Sequence, residues 1–257
     1  MENNKKIWTL SPEGNEVLRD LKKENEEFSI DLYREGKFDA NNFQWYEMFN
    51  HYVHDDIGCD YERYGCYIRE GDVVLDLGGN IGIFAHRAET RGASKVISFE
   101  PVTPTFNCLI KNRGSRTLVY KNAVGGKNGF TTFRIHTDFT HIGGGTSEDQ
   151  DLLLNQRPII HSERVIIIGI NEIFNGMESK IDFMKIDIEG GEVEVLTSIS
   201  DDNLASLRCL SAEFHKTYPE FDQFQDEFVQ RMNRLGFRGF TLYHGDGSLR
   251  TLNFWKE

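Results

Sequence analysis

The run VVLDLGGNIGIFAHRA, Val73 to Ala88, constrains the fold of this chain more than any other stretch. Val73, Val74 and Leu75 form a β-branched and aliphatic run of the kind found in a central strand buried on both faces. Ile81, Phe84, Ala85 and Ala88 recur at i, i+3, i+4 and i+7, which makes one apolar face of a helix. Between them lies LGGNIG, whose glycines let the backbone turn sharply and let a ligand approach it closely. A strand that passes this tightly into a helix presents backbone N–H groups at the helix N-terminus, where a ligand can be held.

The loop does not match the dinucleotide pattern G-x-G-x-x-G. Gly79 and Gly82 fit the second and third glycines, but Leu77 stands where the first belongs. Asp76 at the strand tip repels a diphosphate, whereas it can accept hydrogen bonds from an ammonium group directly or through water. A ligand with an amino-acid end fits better, and this points to S-adenosylmethionine. The bland alternative is a strand-to-helix turn that binds nothing.

Net charge excludes some partners. The 257 residues carry a formal charge of −12, with a pI near 5.2. Such a surface repels phosphate backbones on average, so no nucleic-acid partner is expected. No apolar run could span a bilayer, and the start MENNKKIWTLSPEGNE lacks the apolar core of a signal peptide. A cytoplasmic protein without a membrane partner is the expectation. Cys59, Cys66, Cys108 and Cys209 show no metal-binding spacing and read as free thiols.

Residues 1–60 read as a largely helical extension packed on the core. Ser11-Pro12 resembles a helix start, KKENEE a solvated face, and the aromatic run from Phe43 to Asp56 a packing or pocket-closing surface. From residue 61 to 257 strands alternate with helices, which implies a mostly parallel, doubly wound sheet. The expected strands are Val73 to Leu77, KVISFE ending at Glu100, TLVYKNAVG as one strand running toward Asn122, IDFMKIDIEG, LRCLSAEFH, and a closing pair FRGFTLYH and RTLNFW. TTFRIHT and ERVIIIG read as an extra pair joined by a polar, glycine-bearing loop, His141 to Pro158, a candidate lid. Helix faces are expected from Phe106, Leu109 and Ile110, and from Phe221, Phe224, Phe228 and Leu235.

Ligands of such sheets bind beyond the carboxyl ends of the strands. The polar residues there, Asp76, Glu100, Asn122, Asp187, Glu213 and His215, are therefore expected on one rim. Glu100 can accept hydrogen bonds from both hydroxyls of a ribose. If its strand continues, Asp187 and Glu189 face the same side, while Glu192 falls in a first helical turn and reads equally as a cap. Glu213 and His215, two apart on a strand, point the same way and form a candidate base pair, substrate clamp or part of a metal site with Asp187.

GDVVLDLGGNIGIF, SFEP, IDFMKIDIEGGEVEVL and AEFH, in that order, resemble the FkbM-type S-adenosylmethionine-dependent methyltransferases over roughly residues 61–245. The resemblance implies a class I methyltransferase fold: a Rossmann-like α/β architecture with seven strands, mostly parallel, the last antiparallel, and helices on both faces. It implies O-methylation of a hydroxyl on a sugar, glycan or small metabolite. Asp76, Gly78, Gly79, Asn80 and Gly82 would line the methionine end of the cofactor, Glu100 and Pro101 the ribose, and Asn122 and Ala123 the adenine. Asp187, Glu189, Glu213 and His215 would face the acceptor, with Asp187 also near the cofactor. Where the family commonly has Asp, this chain has Asn171 before a short helix, and an Asn caps a helix as well as Asp.

The implied chemistry asks for in-line alignment and removal of one proton. His215 is the best base by intrinsic pKa, with Asp187 or Glu213 to orient it. A divalent metal could replace it but is not favoured, and no metal ligands are assigned. The rivals are an NAD-dependent oxidoreductase and a silent S-adenosylmethionine-binding module.

Overall fold

The computed structural model describes residues 60–80, 82–136, 159–215, 221–244 and 249–257. Two units divide the chain, Met1–Cys59 and Asp60–Glu257, and all described residues fall in the second. The expected N-terminal helices, Ile81 and the candidate lid His141 to Pro158 lie outside the described residues.

β1 (Val73–Leu77) is buried at all five positions, as its aliphatic run requires. It pairs in parallel with β2 (Lys95–Phe99) on one side and β7 (Phe183–Ile186) on the other. β3 (Thr117–Tyr120) continues the sheet beyond β2, and β8 (Cys209–His215) beyond β7. β10 (Leu249–Trp255) runs antiparallel between β8 and the edge strand β9 (Arg238–His244). The order is β3-β2-β1-β7-β8-β10-β9, the seven-stranded class I methyltransferase arrangement.

α1 (Ile83–Thr90) and α2 (Thr103–Asn112) link the strands on one side of β1. On the other side, α4 (Glu192–Ser198) and α5 (Asp201–Ser206) link β7 to β8, and α6 (Phe221–Arg234) leads to β9. α3 (Ile170–Gly176) enters β7. The strand order reverses between β1 and β7, so right-handed crossovers place the two helix sets on opposite faces. The same reversal opens a crevice beyond the ends of β1 and β7. Phe84, Ala85 and Ala88 are buried on α1, and Phe221, Phe228 and Met232 on α6. Among the described residues no helix is long and apolar enough to cross a membrane.

Four local expectations are corrected. TLVYKNAVG is not one strand: it breaks after Tyr120, and β4 (Ala123–Gly125) joins a separate three-stranded sheet with β6 (Ile159–Gly169) and β5 (Gly129–His136), in the order β4-β6-β5. The expected β5–β6 pair is present and antiparallel. Ile110 does not share the buried face of Leu109; it is 39% exposed, and Leu109 is fully buried. β7 ends at Ile186, and Glu189 has φ 57, so strand alternation does not relate Asp187 to Glu189. Asn171 is not a cap. It lies inside α3, where its Nδ2 donates to Ser198 O at 2.8 Å and its Oδ1 accepts from Ser200 N at 3.0 Å and Asn203 Nδ2 at 2.8 Å.

Candidate active site

The glycine loop lies against the end of β7. Gly78 has φ +85, and a Cβ there would stand 1.7 Å from Asp187 O, so only glycine lets the two strand ends approach this closely. Asn80, with φ 47, donates its backbone N–H to Glu100 Oε2 at 2.8 Å. Glu100 Oε1 accepts from Val102 N at 2.9 Å and Thr105 Oγ1 at 2.8 Å. The carboxylate thus joins the glycine loop to the start of α2. Burial pushes its pKa up to about 7, against the lowering effect of these hydrogen bonds and of Lys185. Glu192 pins the adjoining loop, accepting from Ile188 N and Gly190 N at 3.0 Å each.

A cleft of about 780 Å³, counting the part open to solvent, lies over this crevice. One end is polar, with Gly78, Asn80, Glu100, Asp187 and Glu189. The other is walled by Val102, Ala123, Val124, Phe133 and Ile167, four of them on the small sheet, with Asn122 and Glu194 at its margin. Among the described residues that line it there is no lysine or arginine.

Of the residues expected to hold the cofactor, Gly78, Asn80, Glu100, Pro101, Asn122, Ala123 and Asp187 line the cleft. Asp76, Gly79 and Gly82 stand behind it. Asp76 is fully buried; its Oδ2 accepts from Ser98 Oγ at 2.7 Å and its Oδ1 lies 3.4 Å from Lys185 Nζ. Burial raises the Asp76 pKa, opposed by Lys185 and Ser98. Gly79 packs against Ser98 and Leu109, and Gly82 precedes α1 in a left-handed conformation. His215 ends β8, paired with Leu249.

Two residues were missed. Lys185, 2% exposed, donates to Gly78 O at 2.7 Å and lies 3.6 Å from Asp187 Oδ2. Burial works against its charge, yet Asp187, Asp76 and Glu213 outweigh it and raise its pKa. The signal was available: a lysine inside the apolar strand FMKI must meet buried acids. Tyr61, 1% exposed, places its hydroxyl 2.9 Å from Asp187 Oδ2 and 2.8 Å from Glu213 Oε2. Nothing local in the sequence marked it. Among the described residues, no three His, Cys, Asp or Glu side chains are grouped so as to hold a metal ion.

The Methyltransferase FkbM domain family matches residues 76–238. The 31-O-demethyl-FK506 methyltransferase FkbM of Streptomyces tacrolimicus is 30% identical over 184 residues, covering 60% of this chain and 70% of that protein. The AMB antimetabolite synthetase AmbE of Pseudomonas aeruginosa is 26% identical over 200 residues, covering 64% of this chain and 9% of that protein. A crystal structure of a methyltransferase FkbM from Methylobacillus flagellatus KT aligns over 93% of this chain and 60% of its own, with 14% identity and a TM-score of 0.45.

Proposed function

The chain belongs to the FkbM methyltransferase family, and from that premise we propose that it methylates a hydroxyl oxygen on a sugar, glycan or small metabolite, with S-adenosylmethionine as donor. The make-up of the cleft carries this reading: a buried acid at the end of β2, a glycine loop that only an unsubstituted backbone can form, and an apolar wall. The residues present fit the donor. Glu100 can take the ribose hydroxyls, Asn122 and Ala123 the adenine, and the loop from Gly78 to Gly82 the methionine end. Asp76 and Gly79 support that loop from behind. Membership of a methyltransferase family displaces the NAD-dependent alternative.

S-adenosylmethionine supplies a methyl group already activated on a sulfonium. The protein therefore has to align the acceptor, exclude water and take a proton. Alignment contributes as much as roughly 7–11 kcal/mol at its limit. His215, Asp187 and Glu213 are the candidates for proton handling, since β8 ends at His215 and Tyr61 ties Glu213 to Asp187. A hydroxyl acceptor is favoured by the relative named for a 31-O position. The reading includes no metal, nucleic-acid partner or membrane, because one placed base suffices for a hydroxyl and the chain is acidic.

Thermal melting with S-adenosylhomocysteine and with NAD tests the donor: the former should raise Tm and the latter should not. Turnover of the metal-stripped protein across hydroxyl-bearing acceptors tests the reaction. His215→Ala should lower turnover by about 10²–10⁴ with donor affinity nearly intact. Activity that needs added magnesium or manganese would overturn the metal-free version. Methyl transfer only to nitrogen would overturn the hydroxyl acceptor.

A further inference from the structure

Cys66 and Cys209 are both buried, both free thiols, and neither is among the residues that line the cleft. Cys66 lies in the irregular segment ahead of β1, and Cys209 opens β8. Cys209 pairs with Phe183, the first residue of β7, so the two cysteines sit at the end of the sheet away from the crevice. Each sulfur reaches the backbone beside the other. Cys66 Sγ lies 3.7 Å from Leu210 O, while Cys209 Sγ lies 3.9 Å from Gly65 O and 3.9 Å from Tyr67 O, the carbonyls on either side of Cys66. The two side chains also hydrogen-bond to each other.

The two thiols differ in kind. Arg208 Nη1 donates to Cys209 Sγ at 3.0 Å, while its Nη2 donates to Tyr67 O at 2.9 Å and pairs with Asp72. The bond from Cys66 and the guanidinium pull the Cys209 thiol below its ordinary value, against burial and Asp72. Burial, the neighbouring Cys209 and the acid Glu62 push the Cys66 thiol up, against Arg208. The thiolate is the nucleophilic form, and a cationic neighbour favours it. Cys209 is thus the sulfur that attacks, and Cys66 keeps its proton until an oxidised partner is beside it. The cover over the pair is thin. Tyr64 and Tyr67, on either side of Cys66, are 61% and 49% exposed, and residues 61–70 form no helix or strand, so a local opening admits a molecule as small as hydrogen peroxide.

We propose that Cys66 and Cys209 form a redox site, in which a small hydroperoxide oxidises the Cys209 sulfur and Cys66 converts the product to a disulfide that ties the segment ahead of β1 to β8. The Cys209 sulfur attacks one peroxide oxygen, the O–O bond breaks, and the released hydroxide takes up the thiol proton of Cys209 and leaves as water. The Cys66 sulfur then attacks the sulfenic acid on Cys209. The S–S bond forms, the S–O bond breaks, and the hydroxide leaves with the Cys66 proton as a second water. The two thiols lose two electrons, and the peroxide gains them. This site does not rest on reading the cleft as the methyl-transfer site.

Peptide mapping of the folded, full chain after treatment with hydrogen peroxide at pH 7 tests the pair. Trypsin releases Cys66 in the peptide Tyr64–Arg69 and Cys209 in Cys209–Lys216. With the remaining thiols alkylated, mass spectrometry should find these two peptides joined, and dithiothreitol should part them. The same treatment in urea sets the level of random pairing among the four cysteines, and the folded chain should exceed it. In Cys66→Ser the oxidation stops at the sulfenic acid, so dimedone should label Cys209; in Cys209→Ser it should leave Cys66 unlabelled. Absence of the joined pair, a yield no higher than in urea, a link to Cys59 or Cys108 in its place, or dimedone on Cys66 overturns the proposal. If either variant does not fold, the map of the wild type decides by itself.

Discussion

Glu100, if it holds the ribose of the donor as proposed, makes donor binding depend on pH. Its carboxyl is 6% exposed, and burial raises its pKa from 4.5 to about 7. A raised carboxyl binds a proton more tightly in the folded chain. Its contribution to stability is therefore intact below about pH 4.5 and falls as pH climbs to about 7, by about 3 kcal/mol in all. Two ribose hydroxyls donating to this carboxyl require the ionised form. At pH 6 about a tenth of the molecules carry it, and at pH 8 about nine-tenths. Affinity for S-adenosylhomocysteine should accordingly rise about tenfold between these values. Binding at pH 6 should release close to one proton, read by calorimetry in two buffers of different ionisation enthalpy. In Glu100→Ala the affinity should drop by the loss of charge-assisted bonds, about 1.5–3 kcal/mol, and the pH dependence should flatten. Equal wild-type affinity at both pH values, with no proton released, would refute the ribose role of Glu100.

Gly78→Ala should remove donor binding, because its Cβ would stand 1.7 Å from a backbone oxygen at φ +85; calorimetry of the purified variant that finds wild-type affinity would contradict the tight approach of β1 and β7. Asn171→Asp should cost about 1–3 kcal/mol in urea unfolding, since an aspartate cannot donate to Ser198 O, and an unchanged midpoint would show that this bond contributes nothing.

The sheet was legible wherever a strand is buried on both faces. β1 carries an aliphatic run, and β7 and β8 bury Phe183, Met184, Ile186, Leu210, Ala212 and Phe214, while the glycine loop after β1 follows from the same stretch as that strand. The break between β3 and β4 was not legible. Tyr120 and Ala123 belong to a continuous β-favouring run, and only pairing with β6 draws the second part away. Asn171 was misread for a related reason. Its partners, Ser198, Ser200 and Asn203, lie on the next two helices, and a local capping rule sees none of them. In the candidate site, the acids at strand ends could be named from their position. Tyr61 could not, because its partners are 126 and 152 residues away in sequence.

β10 occupies an interior place in the sheet, yet it follows every other described strand in sequence. During synthesis β9 therefore emerges with no neighbour to pair with, and β8 keeps an open edge until Leu249–Trp255 arrives. The same strand secures the beginning of the described unit, since Asn253 donates to Asp60 O at 3.0 Å and accepts from Ser211 at 3.0 Å. Pairings across such long separations form slowly, because loop closure precedes the contacts that reward it. The crevice between β1 and β7 can therefore form before Leu249–Trp255 arrives, whereas the anchor of Asp60 on Asn253 cannot.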